Sequence, residues 1–437
     1  MTEVFGVPLP AHWTVSPLKR ATPLLNRGSA PDYVEAGPVV ALSQASNQDA
    51  GIDWSRTRFH SYRGDPSKLK GYLEPEDVII NSTGTGTLGR VGYFRGSPNN
   101  TPCIADSHIT IARFSPDIVY PRFGYYWLRS EPFQRHIYSA LVVGATNQIE
   151  LNSERLARAP IPLPPLEEQR RIADFLDAET DRVDSMQLRT RSQVILLGER
   201  LNESIRLATT TGNGPRRETG IAWMPEMNEQ WQLLKVSHVF RSGSGTTPTS
   251  DRPEYYGGPY PWVNSADIND GQIEECDKSV TAAALTDFPA LKIHPAGSLV
   301  VALYGQGATK GKVGILRIDA CLNQACCVLI PTGPIAEDYA AYWFRAHKQG
   351  IVGLALGAGQ PNLSQELIRQ LRIPAPDRPA QNQIVTALRK LEDEVRNEST
   401  LLRARERLLS ERRIALITAA VSGQVDVSTA SGRGIED

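Results

Sequence analysis

Between Glu167 and about Thr210, apolar residues recur at alternating steps of three and four: Ile172, Leu176, Val183, Met186, Val194, Leu197, Leu201 and Ile205. Between about Ala380 and Val421 the pattern returns with Ile384, Leu388, Leu391, Val395, Leu402, Leu409 and Leu416, and Glu, Arg, Asp and Gln fill the positions between. So narrow a stripe suits a coiled-coil seam better than a globular core, and about 40 residues at 1.5 Å of rise make each helix about 60 Å long. One helix alone has nothing to bury such a stripe against. Two of matching length predict an intramolecular antiparallel pair; helices packed each on its own domain would leave too much of the stripe uncovered. Both patterns stop at a glycine, Gly212 in TTTG and Gly423 in AVSG, as a helix C-cap does.

The recurrence extends beyond the helices. GATNQIELNSERLARAPIPLPPLEEQRRIADFL around Ile161 and GAGQPNLSQELIRQLRIPAPDRPAQNQIVTAL around Ile373 match in register, 212 residues apart. Leu151 pairs with Leu363, Pro162 with Pro374, Pro164 with Pro376, Gln169 with Gln381 and Ile172 with Ile384. A period this long marks a duplicated domain rather than a solenoid. In each copy a segment rich in short strands and turns leads to a proline-rich bridge, whose missing donors and restricted backbone set a boundary before the helix. The expected fold is α+β: two duplicated mixed domains joined by the two helices. The expected boundaries are 1–160 for the first domain, 161–212 for the first bridge and helix, 213–372 for a linker and the second domain, 373–427 for the second bridge and helix, and 428–437 for a disordered tail.

Composition changes this picture little. At 437 residues, 41% hydrophobic and 22% charged, the chain is an ordinary globular polypeptide, long enough for two or more cores. No apolar run reaches the ~20 residues of a membrane span, and MTEVFGVPLPAHW lacks the regions of a signal peptide, so a cytoplasmic location is expected. Cys103, Cys276, Cys321, Cys326 and Cys327 are an odd set without C-x-x-C spacing, which predicts buried free thiols and neither disulfides nor a metal site. A net charge of -1 argues against a generally basic nucleic-acid binder but leaves room for a local basic face.

Catalytic motifs fail on inspection. Gly84, Gly86 and Gly89 form G-x-G-x-x-G, yet Arg90-Val91-Gly92-Tyr93-Phe94 reads on as a strand where a dinucleotide site needs a helix. LYGQGATKGKVGIL approximates a phosphate-binding loop, but Gln306 replaces its first glycine and Val313 its hydroxyl residue. Both read better as hairpin-like loops rich in Gly, Thr and basic residues. The chain has no G-x-S-x-G, no H-E-x-x-H and no Asn-Pro-Pro-aromatic tetrad, and its seven histidines are scattered. No catalytic residue, metal ligand or bound cofactor is expected.

Side chains suited to polar recognition do recur. Arg56, Arg58, His60, Tyr62, Arg63, Lys68 and Lys70 interleave basic and aromatic groups in the first half, with Thr83, Thr85, Thr87 and Arg90 on its glycine loop. The second half offers Thr246, Thr247, Arg252, Tyr255, Tyr256 and Asn264, with Gln306, Thr309, Lys310 and Lys312 on its own loop. Arg and Lys engage phosphates or guanine edges, and Asn and Gln pair with adenine. Composition alone favours ordinary solvated loops with aromatic anchors.

The ordered set IPLPPLEEQRRIADFLD with its weaker copy IPAPDRPAQNQIVTALRKLE, the entry phrases LPAHWTVSPLK and MPEMNEQWQLLK, SGSGTTPTS...EYYGG...WVNSADI, and the terminal ALITAAVSGQVDV resembles the DNA-specificity subunit of type I restriction-modification systems, the HsdS family. The resemblance spans nearly the whole chain, with Asp377-Arg378-Pro379 departing from the usual Pro-Leu-Glu of the bridge. It implies two target-recognition domains that each contact one half of a split, asymmetric duplex DNA target, with the helices as spacer. It further implies two methyltransferase subunits carrying S-adenosylmethionine and motor-nuclease subunits using ATP and Mg2+, with no catalysis by this chain. Two other classes fit the residues less well: a coiled-coil scaffold whose domains bind proteins, and a detached part of a fused restriction-methylation enzyme.

Overall fold

The computed structural model describes residues 3–84, 86–144, 149–305, 308–355 and 362–427; Thr85, Gln306 and the tail 428–437, all singled out above, lie outside them. The chain forms two units, Met1–Arg191 with Arg403–Asp437, and Ser192–Leu402. Both boundaries fall inside the long helices, Leu166–Thr210 and Arg378–Val421. Each unit therefore combines one mixed domain with the start of one long helix and the end of the other.

In the first unit two four-stranded sheets face each other. One orders Val91–Tyr93, Val78–Asn81, Ile109–Arg113 and Leu24–Arg27; the other orders Cys103–Ala105, Val39–Leu42, Arg58–His60 and Tyr33–Val34. The strand Val78–Asn81 is buried on both sides because it is sandwiched. Its side chains alternate, so Ile79 joins Val40, Leu42 and Phe94 between the sheets, while Val78 and Ile80 turn toward a short helix, Pro121–Arg129. On that side Trp13, Phe123, Trp127, Ile172, Leu176, Ile417 and Val421 form one apolar core shared by the domain and both helices.

The second unit repeats the plan with a five-stranded sheet ordered Phe240–Ser244, Cys326–Pro331, Leu299–Ala302, Val313–Leu316 and Gln272–Ile273. Val300 and Ala302 face the core around Val263 and Leu322, whereas Leu299 and Val301 face Tyr339, Trp343, Ile205 and Leu388. The short helix here is Glu337–Ala346. Both glycine loops close antiparallel hairpins, Val78–Asn81 with Val91–Tyr93 and Leu299–Ala302 with Val313–Leu316.

The long helices run antiparallel. In the first unit Asp184 pairs with Arg413 at 3.0 Å, Gln187 with Ser410 at 2.8 Å and Arg191 with Glu406 at 2.5 Å, one number rising as the other falls. Ile172, Leu176, Val183 and Leu409 of the seam are buried there. Leu416 is only half-buried and Ile417, at 2% exposure, takes the inner place, because this end of the helix packs on the domain and the inward face rotates. In the second unit Leu201 and Leu388 are buried, while Val194, Leu197, Ile384, Leu391, Val395 and Leu402 are half-buried. The second long helix ends in a Schellman turn: Gly423 N–H bonds Ala420 O at 3.2 Å and Gln424 N–H bonds Ala419 O at 2.8 Å, with Gly423 at φ +71. A Cβ at Gly423 would stand 2.4 Å from Pro10 Cγ, so this glycine serves both turn and packing.

Candidate nucleic-acid interface

In each unit a buried glutamine anchors the domain to its long helix. Gln169 Oε1 accepts from Tyr120 N–H at 2.8 Å, and its Nε2 donates to Ile118 O at 3.1 Å and Pro164 O at 2.8 Å. Gln381 does the same with Ala336 N–H at 2.7 Å, Pro334 O at 3.0 Å and Pro376 O at 2.8 Å. All hydrogen-bonding capacity used here is internal, so these residues position the loops rather than contact a ligand.

The first unit's basic and aromatic candidates gather on and beside the strand Arg58–His60. Arg58 lies over the Tyr33 ring at 4.8 Å, Tyr33 Oη donates to Asp106 at 3.4 Å, and His60 stacks beside Tyr62 at 6.1 Å between centroids. Burial and the Asp106 charge raise the Tyr33 phenol above its ordinary range, so it stays a donor. His60 Nδ1 is engaged by the Asp32 backbone at 2.9 Å. Arg56, Arg58, Arg63, Lys68 and Lys70 are exposed, although Arg56 is paired with Asp53 at 3.0 Å. The structure thus brings together an exposed basic edge with aromatic rings beside it, residue types that can engage phosphates and stack on bases.

The glycine loop differs from its sequence expectation. Thr83 Oγ1 bonds His108 at 2.7 Å and Gln44 at 3.2 Å, and Thr87 bonds back to Thr83 O at 3.4 Å. Arg90 is turned inward, its side chain 18% exposed. It donates to Asn47 O at 3.1 Å and Gln48 Oε1 at 3.2 Å and pairs with Asp49 at 3.3 Å. Arg90 staples the neighbouring loop to the sheet.

In the second unit several candidates are framework. Tyr255 is 5% exposed and its hydroxyl donates to Asp287 at 2.8 Å; Tyr256 donates to Pro248 O at 2.6 Å. Asn264 caps the turn Ser265–Asp267 and accepts from Asn323 Nδ2 at 3.2 Å. Thr246 binds the chain to Leu322 O through its N–H at 2.9 Å. Arg252, stacked at 5.9 Å on Tyr255, and Thr247 are exposed. A concavity of about 510 Å³ opens beside them, lined by Thr247, Ser250, Tyr256, Trp262, Lys278 and Ser279. Thr309 and Lys310 are half-buried, and Lys312 Nζ donates to Asn269 at 3.2 Å. Sequence reasoning missed Lys278 and Asn269, which carry no motif and reach the site through loop packing.

Among the described residues no cluster of His, Cys, Asp or Glu is placed to hold a metal ion, and no helix is long and apolar enough to cross a membrane. Cys103, Cys321, Cys326 and Cys327 are buried free thiols, and burial lifts the Cys103 thiol to about 12.

The family model for the type I restriction modification DNA specificity domain matches twice, over residues 30–195 and 228–404. The chain belongs to this family, the HsdS family of specificity subunits. Its fold agrees with that of a solved chain from work on complex assembly and conformational transition of the type I R-M system, with TM-score 0.74, 17% identity and coverage of 95% of this chain and 99% of that one. The HsdS subunit from Thermoanaerobacter tengcongensis follows at TM-score 0.55, 16% identity and coverage of 95% and 98%. In sequence the chain is similar to the MjaIX specificity subunit of Methanocaldococcus jannaschii, 25% identical over 42% of each chain, and so spans less than half of that relative. The putative MjaX specificity subunit of the same organism is 20% identical over 96% of this chain and 95% of its own length. In this HsdS chain both family matches run on from a recognition domain into its long helix, so the anchored glutamines belong to the repeated unit.

Proposed function

We propose that this specificity subunit reads a bipartite, asymmetric duplex DNA sequence, each recognition domain taking one half and the paired helices setting the distance between halves. The observation that carries the reading is one scaffold used twice beneath unlike loops: Gln169 and Gln381 make matching bonds, while the first unit presents Arg58, Arg63 and Lys70 and the second presents Thr247 and Arg252. Identical frames with different exposed polar groups suit two different half-sequences.

The chain supplies no catalytic group in this reading. Methyl transfer belongs to two methyltransferase subunits using S-adenosylmethionine, and cleavage to motor-nuclease subunits using ATP and Mg2+. The long helices offer apolar surface for such partners: Leu188, Leu408 and Ile414 are 66, 60 and 48% exposed in the first unit, and Ile195, Leu196 and Leu401 are 62, 61 and 71% exposed in the second.

The test is the pattern of methylated adenines in cells expressing the chain with its methyltransferase. A split motif of fixed spacing is expected, and exchanging residues 1–160 for those of a relative should alter one half only. A contiguous motif, or both halves changing together, would overturn the reading.

A further inference from the structure

The short helices that seat the two domains correspond residue by residue: PRFGYYWLR from Pro121 and EDYAAYWFR from Glu337 share Tyr126 with Tyr342, Trp127 with Trp343 and Arg129 with Arg345. In this register Arg122 corresponds to Asp338. The long helices correspond through Gln169 with Gln381, Ile172 with Ile384 and Leu176 with Leu388, which sets Asp177 against Arg389.

These two corresponding positions touch in both units, with their charges exchanged. In the first, Arg122 on the domain donates through Nε to Asp177 on the helix at 2.7 Å. In the second, Asp338 on the domain accepts from Arg389 on the helix at 2.7 Å. Arg122 is 12% exposed and lies over Tyr93, Tyr125 and Tyr126 at 4.7, 4.6 and 5.0 Å, so it cannot swing into water when its partner is removed. The neighbouring interaction is also specific to its copy. Arg345 pairs with Glu392, whereas the matching Arg129 meets the Tyr125 hydroxyl, and Thr180 stands where Glu392 does.

We infer that this exchanged ion pair keys each recognition domain to its own long helix. A first domain seated on the second helix would set Arg122 against Arg389. A second domain on the first helix would set Asp338 against Asp177, a smaller conflict because Arg317, 3.2 Å from Asp338, travels with that domain. Burial makes the first mismatch the costly one, since a like charge beside a buried guanidinium goes unscreened. The key would confine productive exchange of domains to matching positions and disfavour two chains that trade domains crosswise. That consequence for the order of half-sites rests on the proposed DNA-reading function, but the pairing itself does not.

The test replaces residues 213–372 with a second copy of residues 1–160 and compares Arg389 with Arg389→Asp in that chimera and in the native chain. The substitution should raise the thermal midpoint of the chimera and lower that of the native chain. The same sign in both would overturn the proposal. Should the chimera fail to fold in either form, a native-chain cycle decides: Arg122→Asp and Asp177→Arg should each lower the midpoint, and their combination should recover part of the loss. Additive losses would overturn it. With a methyltransferase present, the rescued chimera should methylate a motif whose first half-sequence is repeated. A rescued midpoint without that motif would refute the DNA-reading function and leave the key standing.

Discussion

Gln169 and Gln381 make the same three hydrogen bonds in the two halves, whereas the cations of the two glycine hairpins behave differently: Arg90 is folded inward against Asn47, Gln48 and Asp49, and Lys312 reaches across to Asn269. The difference locates two kinds of constraint. Where a domain meets its helix, buried backbone groups need partners and few solutions exist, so both copies keep one. On the hairpins the cations find different neighbours, Asn47, Gln48 and Asp49 in one copy and Asn269 in the other, and each copy has followed its own chemistry. Correspondence in sequence therefore predicts correspondence in scaffold better than in side-chain pairing.

The two ion pairs give the largest test of this comparison. Arg122 is 12% exposed and Arg389 is 50% exposed. Arg122→Ala should cost about 3 kcal/mol by breaking a buried pair, while Arg389→Ala should cost under about 1 kcal/mol. Urea unfolding measures the totals, and hydrogen exchange resolved by unit assigns each; equal costs would mean that burial does not separate the copies.

Gln169→Leu and Gln381→Leu should come next, each costing about 2 to 3 kcal/mol because a buried N–H and two carbonyls lose their partner. Here the halves should agree. A cost in one unit only would break the claim that the anchor is shared.

Acid should separate the halves again. Burial against Trp223 and Trp343 holds the His347 ring down to about 4, while the first unit's His136, stacked beside Phe5, is lowered but less buried. Above pH 6.5 the His347 ring is neutral whether folded or not. As pH falls through 6.5 the unfolded ring gains a proton that the folded ring refuses, so stability is lost from there down toward pH 4. By about pH 5 the loss is about 2 kcal/mol. The second unit should open first in an acid titration followed by hydrogen exchange, and His347→Phe should flatten that dependence.

The smallest effects belong to the hairpins. Replacing Lys310 and Lys312 by Ala should weaken DNA binding and reduce its salt slope by roughly one counterion for each phosphate no longer neutralised. Arg90→Ala should instead lower stability with little change in slope. Identical slopes for both variants and the unaltered chain would remove both hairpins from the interface.

Helices, duplication and the hairpin nature of both glycine loops were legible because each writes a period or a turn into local sequence. The anchors were not. Gln169 and Gln381 were visible as repeated letters, but their acceptors at Ile118 and Pro334 lie 51 and 47 residues earlier and leave no motif. The apolar stripe also omitted Thr180 and Thr190, which are buried because their hydroxyls bond back to Leu176 O at 2.6 Å and Met186 O at 2.9 Å. Tyr255 and Asn264 looked like recognition residues by type, yet a buried hydroxyl and a turn cap account for them. Residue type proposes a chemistry; tertiary neighbours decide whether any of it remains for a ligand.

The first unit is assembled from segments on both sides of the second, since Ile417, Ala420 and Val421 complete the core begun by Trp13, Ile172 and Leu176. A ribosome adding ~5–20 residues per second needs roughly ten to forty seconds to travel from Arg191 to Arg403. During that interval the nascent first unit waits with an apolar face uncovered, and the second unit has all of its residues once Leu402 is made, before the first is complete. Premature termination late in the message would therefore injure the half that was made first.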